Sequence, residues 1–227
     1  MPSLESLTFD TLGFSLVHEE ANARFWAGGS DDVLSLNFFP LPPDLPTDLA
    51  NTIAIRSAYA GLAAVAGHAL LELARLDLSS ARALRVIFKQ PQVASGGGRI
   101  YVGSITLPFR DLSFVIKVTC PEHPPFGVRE AIVLDQLMRS GELQLLLPPD
   151  ETPDPLQVIG LDRIAGWLVE PIDPNVPPHL AHNRSDDQSF DDAFPSHPLT
   201  RTRRYLDRLQ SSISLGDDLQ AAPRFER

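Results

Sequence analysis

The sequence predicts an α+β fold: an antiparallel sheet of five to seven strands flanked by helices, followed by a proline-rich C-terminal extension that ends in a helix. Three observations carry this. Period-two, β-branched segments lie on both sides of one long apolar segment with helical spacing. The later strand segments are joined by connections too short for a parallel crossover, so they must be antiparallel neighbours. Finally, 10 of the 21 prolines fall between positions 148 and 198, where missing backbone donors and a fixed φ stop helices and central strands.

Residues 8–17 alternate with period two and read as strand. Residues 24–39 read as a hairpin that turns at Gly28-Gly29, with Phe25 and Trp26 on one arm and Leu34, Leu36 and Phe38 on the other. Pro40, Pro42, Pro43 and Pro46 end it. Thr47 followed by Asp48 fits a helix start. Leu49, Ile53, Leu62, Ala66, Leu70 and Leu73 then recur at helical spacing to about Arg75. Between positions 58 and 74 this segment is small or apolar on nearly every face, so it reads as covered on both sides. Residues 85–89, 99–107 and 113–119 are β-branched and aromatic-rich strands. Residues 127–143 read as a second helix, with Val128, Ala131, Leu134, Leu137 and Met138 on one face. In the extension, Ser196 or His197 caps a helix with Pro198 at its first position. Leu199, Leu206, Leu209 and Ile213 form its stripe, and Gly216 its stop.

Composition divides the chain and narrows its chemistry. Residues 1–147 form the sandwich domain, 148–156 a Pro-rich acidic linker, and 157–227 an extension that docks back through an amphipathic terminal helix. Between Asp150 and Asp192 there are 10 acidic residues against only Arg163 and Arg184. The whole chain carries a formal charge of −10, which argues against nucleic acid as partner. A single cysteine excludes a disulfide framework and Cys-rich zinc modules. No run approaches the ~20 apolar residues of a membrane span, and the start has no basic-then-apolar leader, so the expected location is the cytoplasm. Among 19 basic residues only Lys89 and Lys117 are lysines, a bias expected of a GC-rich bacterial gene.

The element order resembles the PsbP-like α/β/α sandwich superfamily: N-terminal strands, a long helix, a three-strand meander closing at Cys120-Pro121, then a helix starting near Gly127-Val128-Arg129-Glu130. The resemblance covers about residues 5–145 and rests on element order, so no functional residue transfers. It implies a non-enzymatic protein that binds other proteins, as an adaptor, secretion chaperone or immunity-like protein.

Candidate chemistry is sparse. Cys120 ends an apolar strand with no helix N-terminus to activate it, and reads as structural. The glycines after Ser95 lead into another strand and lack the Lys-Ser/Thr of a phosphate loop. His68, with Glu72 at i+4, reads as a satisfied histidine of the apolar helix. His179, His182 and His197 with Asp186, Asp187, Asp191 and Asp192 could hold a cation, which leaves open a small hydrolase or metal-dependent enzyme. No HExxH, DxDxDG or GxSxG pattern supports that alternative, so no catalytic, cofactor or metal residue is assigned. The partner-binding candidates are Phe190 and Phe194, read as apolar anchors, with Arg201, Arg203, Arg204 and Arg208 and the run from Asp186 to Asp192 as a charged rim. An acidic surface favours a basic protein partner.

Overall fold

The computed structural model describes residues 2–78, 81–93, 97–146 and 163–226. A short strand β1 (Leu7–Thr8) precedes β2 (Ser15–Glu20), β3 (Ala23–Ala27) and β4 (Val33–Phe39). Helix α1 (Thr52–Val65) follows, then β5 (Ala69–Asp77), β6 (Arg82–Pro91), β7 (Arg99–Pro108) and β8 (Ser113–Pro121). Next come α2 (Val128–Ser140) and a two-strand ribbon of β9 (Gln144–Leu145) and β10 (Ile164–Ala165). The chain closes with α3 (Pro198–Ser212), β11 (Ser214–Leu215) and α4 (Asp217–Gln220). Seven strands form one antiparallel sheet in the order β2-β3-β4-β8-β7-β6-β5.

Strand parity assigns the two faces. Leu34 and Leu36 of β4, Ile87 of β6, Tyr101, Ile105 and Leu107 of β7, and Phe114, Ile116 and Val118 of β8 share one core with Leu199, Leu206 and Leu209 of α3. Those three leucines are 0% exposed, and burying each contributes roughly 1.5–3 kcal/mol. Gly103 of β7 makes the close approach possible: a Cβ there would stand 2.6 Å from Thr202 Cγ2 and 2.8 Å from Leu206 Cδ1. On the opposite face α1 covers only the β5–β6 end, where Ile55 packs with Leu70, Leu84 and Val86. A third cluster joins α2 to the extension, with Val133, Leu137, Leu143 and Trp167 at its centre and Phe190 and Phe194 against it.

The structure corrects the long-helix reading. Residues 48–75 do not form one helix: α1 is capped by Asn51, whose side chain accepts from the Ala54 N–H, and ends at Val65. Gly67, at φ +71, then reverses the chain into the edge strand β5. The run Ala-Leu-Leu-Glu-Leu-Ala-Arg-Leu has strong helical propensity, but pairing with β6 overrides it. His68 therefore lies in the connection rather than in the helix, and Glu72 lies on a strand. Residues 8–17 also split: Leu12 (φ 62) and Gly13 (φ 76) turn the chain between β1 and β2. His197 caps α3, but the helix stops at Ser212, and Gly216 caps α4 instead of ending α3. The linker 148–156 and the boundary at 147 lie outside the described residues, as do Ser95 and Gly96.

Candidate functional site

The extension meets the sandwich through buried charges. Lys89 shares strand parity with Ala83 and Ile87, so its side chain points into the core, where it is 0% exposed. Its Nζ donates to Asp186 Oδ2 at 2.6 Å and to the Ala181 carbonyl at 3.3 Å. Arg129, 1% exposed in the first turn of α2, donates to the Ser185 carbonyl (2.7 Å), Asp191 Oδ1 (2.9 Å) and Thr200 Oγ1 (3.0 Å). Arg203 of α3 bridges Glu72 (2.6 Å) and Asp191 (2.8 Å). Arg201 grips Asp32 with two bonds of 2.9 and 2.8 Å, and the Tyr205 hydroxyl donates to the same carboxylate. Buried pairs of this kind fix geometry more than they add stability.

This arrangement corrects the charged-rim reading. Asp186 (2% exposed) and Arg203 (4%) are buried, and Arg201 is half-buried on Asp32. Arg204 and Arg208 are exposed; Arg208 pairs with Asp10 at 2.6 Å, and Arg204 donates to the Pro195 carbonyl. Phe190 and Phe194 are half-buried against α2, Phe194 with the Arg129 guanidinium 5.6 Å from its ring centre. The His and Asp residues of the extension are dispersed. Asp186 and Asp191 are held by cations, Asp187 caps Ser189, and His179 lies in a single 3-10 turn (Pro178–Leu180). Cys120 is 0% exposed, and burial pushes its thiol up to about 12, as for a structural cysteine.

One group of possible metal ligands does converge, and it is not the one expected from sequence. Glu122, Glu130 and His197 each bring a ligand atom within 4.8 Å of the others. Its surroundings oppose a cation. Glu122 Oε1 accepts the Gly127 N–H at 2.6 Å, and Oε2 accepts from Arg99 N and Nη1, both at 3.2 Å. His197 Nδ1 accepts the Leu199 N–H, which leaves the proton of the neutral ring on Nε2 and no lone pair there. Burial, then Arg129, Lys89, Arg99 and Arg201, push that imidazole down to about 2, and the same positive field repels a metal ion.

Two clefts flank the segment 179–183. One, of about 220 Å³, runs between α1 and the extension and is lined by Gly61, Ala64, His68, Leu70, Glu170, Asp173, Val176 and His182 among others. Outside that lining, α1 also exposes Ile53, Leu62 and Val65, at 83%, 71% and 82%. The helix carries one charge, Arg56, held by Glu170 at 2.5 Å. The other cleft, of about 230 Å³, lies where α2 meets the extension and is lined by Arg99, Gly127, Glu130, Ala131, Leu134, Trp167, His179 and Asn183. Of its polar residues the sequence reading had singled out only His179, although Arg99, a charge at the inward parity of an apolar strand, was a usable signal.

No family model matches the sequence, and no curated protein matches it. Among solved structures the chain is similar to PA94, a protein of unknown function from Pseudomonas aeruginosa, with a TM-score of 0.34, 12% identity, and coverage of 61% of this chain and 99% of that one. It is also similar to the Ran-binding protein Mog1p of Saccharomyces cerevisiae, with a TM-score of 0.39, 8% identity, and coverage of 94% and 96%. A mutant of the protein Mog1 matches with the same TM-score and identity, covering 95% and 90%. Similarity at this level carries no inference about what this chain does. Among the described residues, no helix is long and apolar enough to cross a membrane.

Proposed function

We propose that this protein is a non-catalytic protein-binding module, and that the α1 groove receives an amphipathic partner segment whose apolar anchors are flanked by basic residues. The observation that carries this is the outer face of α1. Ile53, Leu62 and Val65 stand in solvent on a helix whose inner face is already packed. Leu62 and Val65, three positions apart, share one face, and exposed apolar side chains grouped in this way mark an interaction surface. Charge selects the occupant. Asp173 lines the groove, Glu170 there is already paired with Arg56, and the chain carries −10, so a basic segment is steered in. An anionic lipid surface would be repelled by the net charge of −10. The order of elements supports a PsbP-like sandwich within this reading, and an adaptor or chaperone role in a bacterial cytoplasm is its natural setting.

The test uses fluorescence anisotropy with two labelled peptides of equal length, one of leucine and lysine and one of leucine and glutamate. The Leu/Lys peptide is expected to bind, to weaken as salt rises, and to lose at least about ten-fold in affinity to the double variant Leu62→Glu, Val65→Glu, roughly the worth of a buried leucine. Both positions are exposed, so the melting temperature should hold. Equal binding of the two peptides, or binding indifferent to the double variant, would overturn the reading. Concentration-dependent dimerisation abolished by the same variant would instead assign the face to a second copy.

A further inference from the structure

We infer, on the reading of the α1 groove as a site for a basic segment, that acid regulates it: protonation of His68 and His182 on its wall turns the groove from negative to positive, so that a basic segment leaves and an acidic one is favoured. The fold brings these two imidazoles from distant parts of the chain to one cleft of about 220 Å³. His68 follows the turn at Gly67, and His182 comes from the extension. Both are half-buried. The His68 ring makes no hydrogen bond or ion pair among the described residues, and His182 Nδ1 has no hydrogen-bond partner there. Neither ring is therefore locked in one protonation state by a neighbour.

The charges around the rings come from three elements. Arg56 of α1 neutralises Glu170 of the extension, and Lys89 of β6 neutralises Asp186. Among the lining residues that leaves Asp173 as the carboxylate without a cation; its Oδ1 accepts only from the backbone and side-chain N–H groups of Asn175. With both imidazoles neutral the groove carries one negative charge, and with both protonated one positive charge. Burial lowers the pKa of His68 below the ordinary 6.5. At His182 burial also dominates and lowers it; Asp186 and Glu170 oppose that shift, and Lys89 and Arg56 add to it. Both rings are therefore neutral at pH 7.5 and gain charge only on acidification. Proton and partner then compete. A lysine entering the cleft makes the imidazoles harder to charge, and by linkage a charged imidazole weakens the lysine by the same factor. Solvated surface histidines titrate with little effect, but here two of them outnumber the one uncompensated carboxylate of a narrow cleft, where screening is weak.

The test titrates the whole protein with the Leu/Lys and Leu/Glu peptides from pH 7.5 to pH 5.0 at constant ionic strength, with tryptophan fluorescence reporting that the fold persists. Lysine stays charged throughout, and glutamate, with an ordinary pKa of about 4.3, stays mostly ionised. The Leu/Lys peptide should lose about ten-fold or more in affinity over this range, the ceiling being about ten-fold per pH unit for each proton displaced. The Leu/Glu peptide should gain. In the double variant His68→Gln, His182→Gln both profiles should flatten, whatever the affinity at pH 7.5. His68→Gln alone, in the connection between α1 and β5, should shrink both slopes and serves if the double variant does not fold. Calorimetry at pH 6 in two buffers of different ionisation enthalpy should show protons released as the Leu/Lys peptide binds, and none released at pH 8. A Leu/Lys affinity that ignores pH, a fall of equal size in the double variant, or a parallel fall for both peptides overturns the inference and leaves the groove standing. Failure of the Leu/Lys peptide to bind at pH 7.5 removes groove and regulation together.

Discussion

Lys89 and Asp186 join sandwich and extension out of reach of water, at 0% and 2% exposure. Removing one partner strands the other charge in the interior. Asp186→Asn is expected to lower unfolding free energy by about 3–5 kcal/mol, measured by urea denaturation. Exchanging both, Lys89→Met with Asp186→Leu, should recover much of that loss, because an apolar pair avoids the desolvation penalty. The comparison separates an attractive pair from a buried charge that merely cannot be left alone. Little of this could be read beforehand. Lys89 sits in the strand segment 85–89 identified from sequence, and its inward parity was visible, but which acid would meet it depended on a segment nearly a hundred positions away. Phe190 and Phe194 were legible as anchors, since aromatics between acids must find apolar cover; Glu122 and Glu130 gave no such cue.

Helix α3 shows how local signals and distant packing combine. Its start was legible to within a residue, since Ser196 or His197 could cap a helix opened by the preset φ of Pro198, and the cap is His197. Its leucine stripe was equally plain, and those leucines are buried. The helix read over 48–75 fared worse, since apolar residues such as Leu70 and Leu73 fit a helix and an edge strand alike, and only the turn at Gly67 separates them. The cap of α3 carries a pH dependence. His197 has a folded pKa of about 2 against the ordinary 6.5, so the unfolded chain takes up the proton first as pH falls. Stability is therefore complete above pH 6.5 and drains as pH falls toward 2, with a slope of up to about 1.4 kcal/mol per pH unit. His182 and His179, also lowered by burial, act with the same sign. His197→Asn keeps a capping acceptor and removes the titration, so its urea midpoint should fall less steeply between pH 6 and pH 4 than that of the parent, allowing roughly for the other histidines. Equal slopes would show that the ring is protonated without penalty in the folded state.

For the molecule as a whole, the compositional break near residue 147 suggested a domain with an appendage, and the packing shows that the appendage completes the core. Ile105 of β7 and Ile116 of β8 lie under Leu199, Leu206 and Leu209, so a chain ending at Leu146 retains all seven strands and loses the cover of one sheet face. Such a chain is expected to sediment as aggregate when the soluble fraction is assayed after expression. A soluble product with a single cooperative urea transition would show that the sandwich is self-sufficient.

The small pairing of β1 with β11, Leu7 opposite Leu215, carries a consequence for how the protein is made. A ribosome delivers the sheet in full once Pro121 has emerged, while α3 and the strand that locks onto β1 lie up to roughly ninety residues further on. At about 5–20 residues per second the nascent sheet waits about 5–20 s with one apolar face uncovered. During that interval the growing chain is a natural client for holding factors at the exit tunnel. Slow codons placed after residue 121 would lengthen its exposure, whereas the same codons placed before β2 would leave it unchanged.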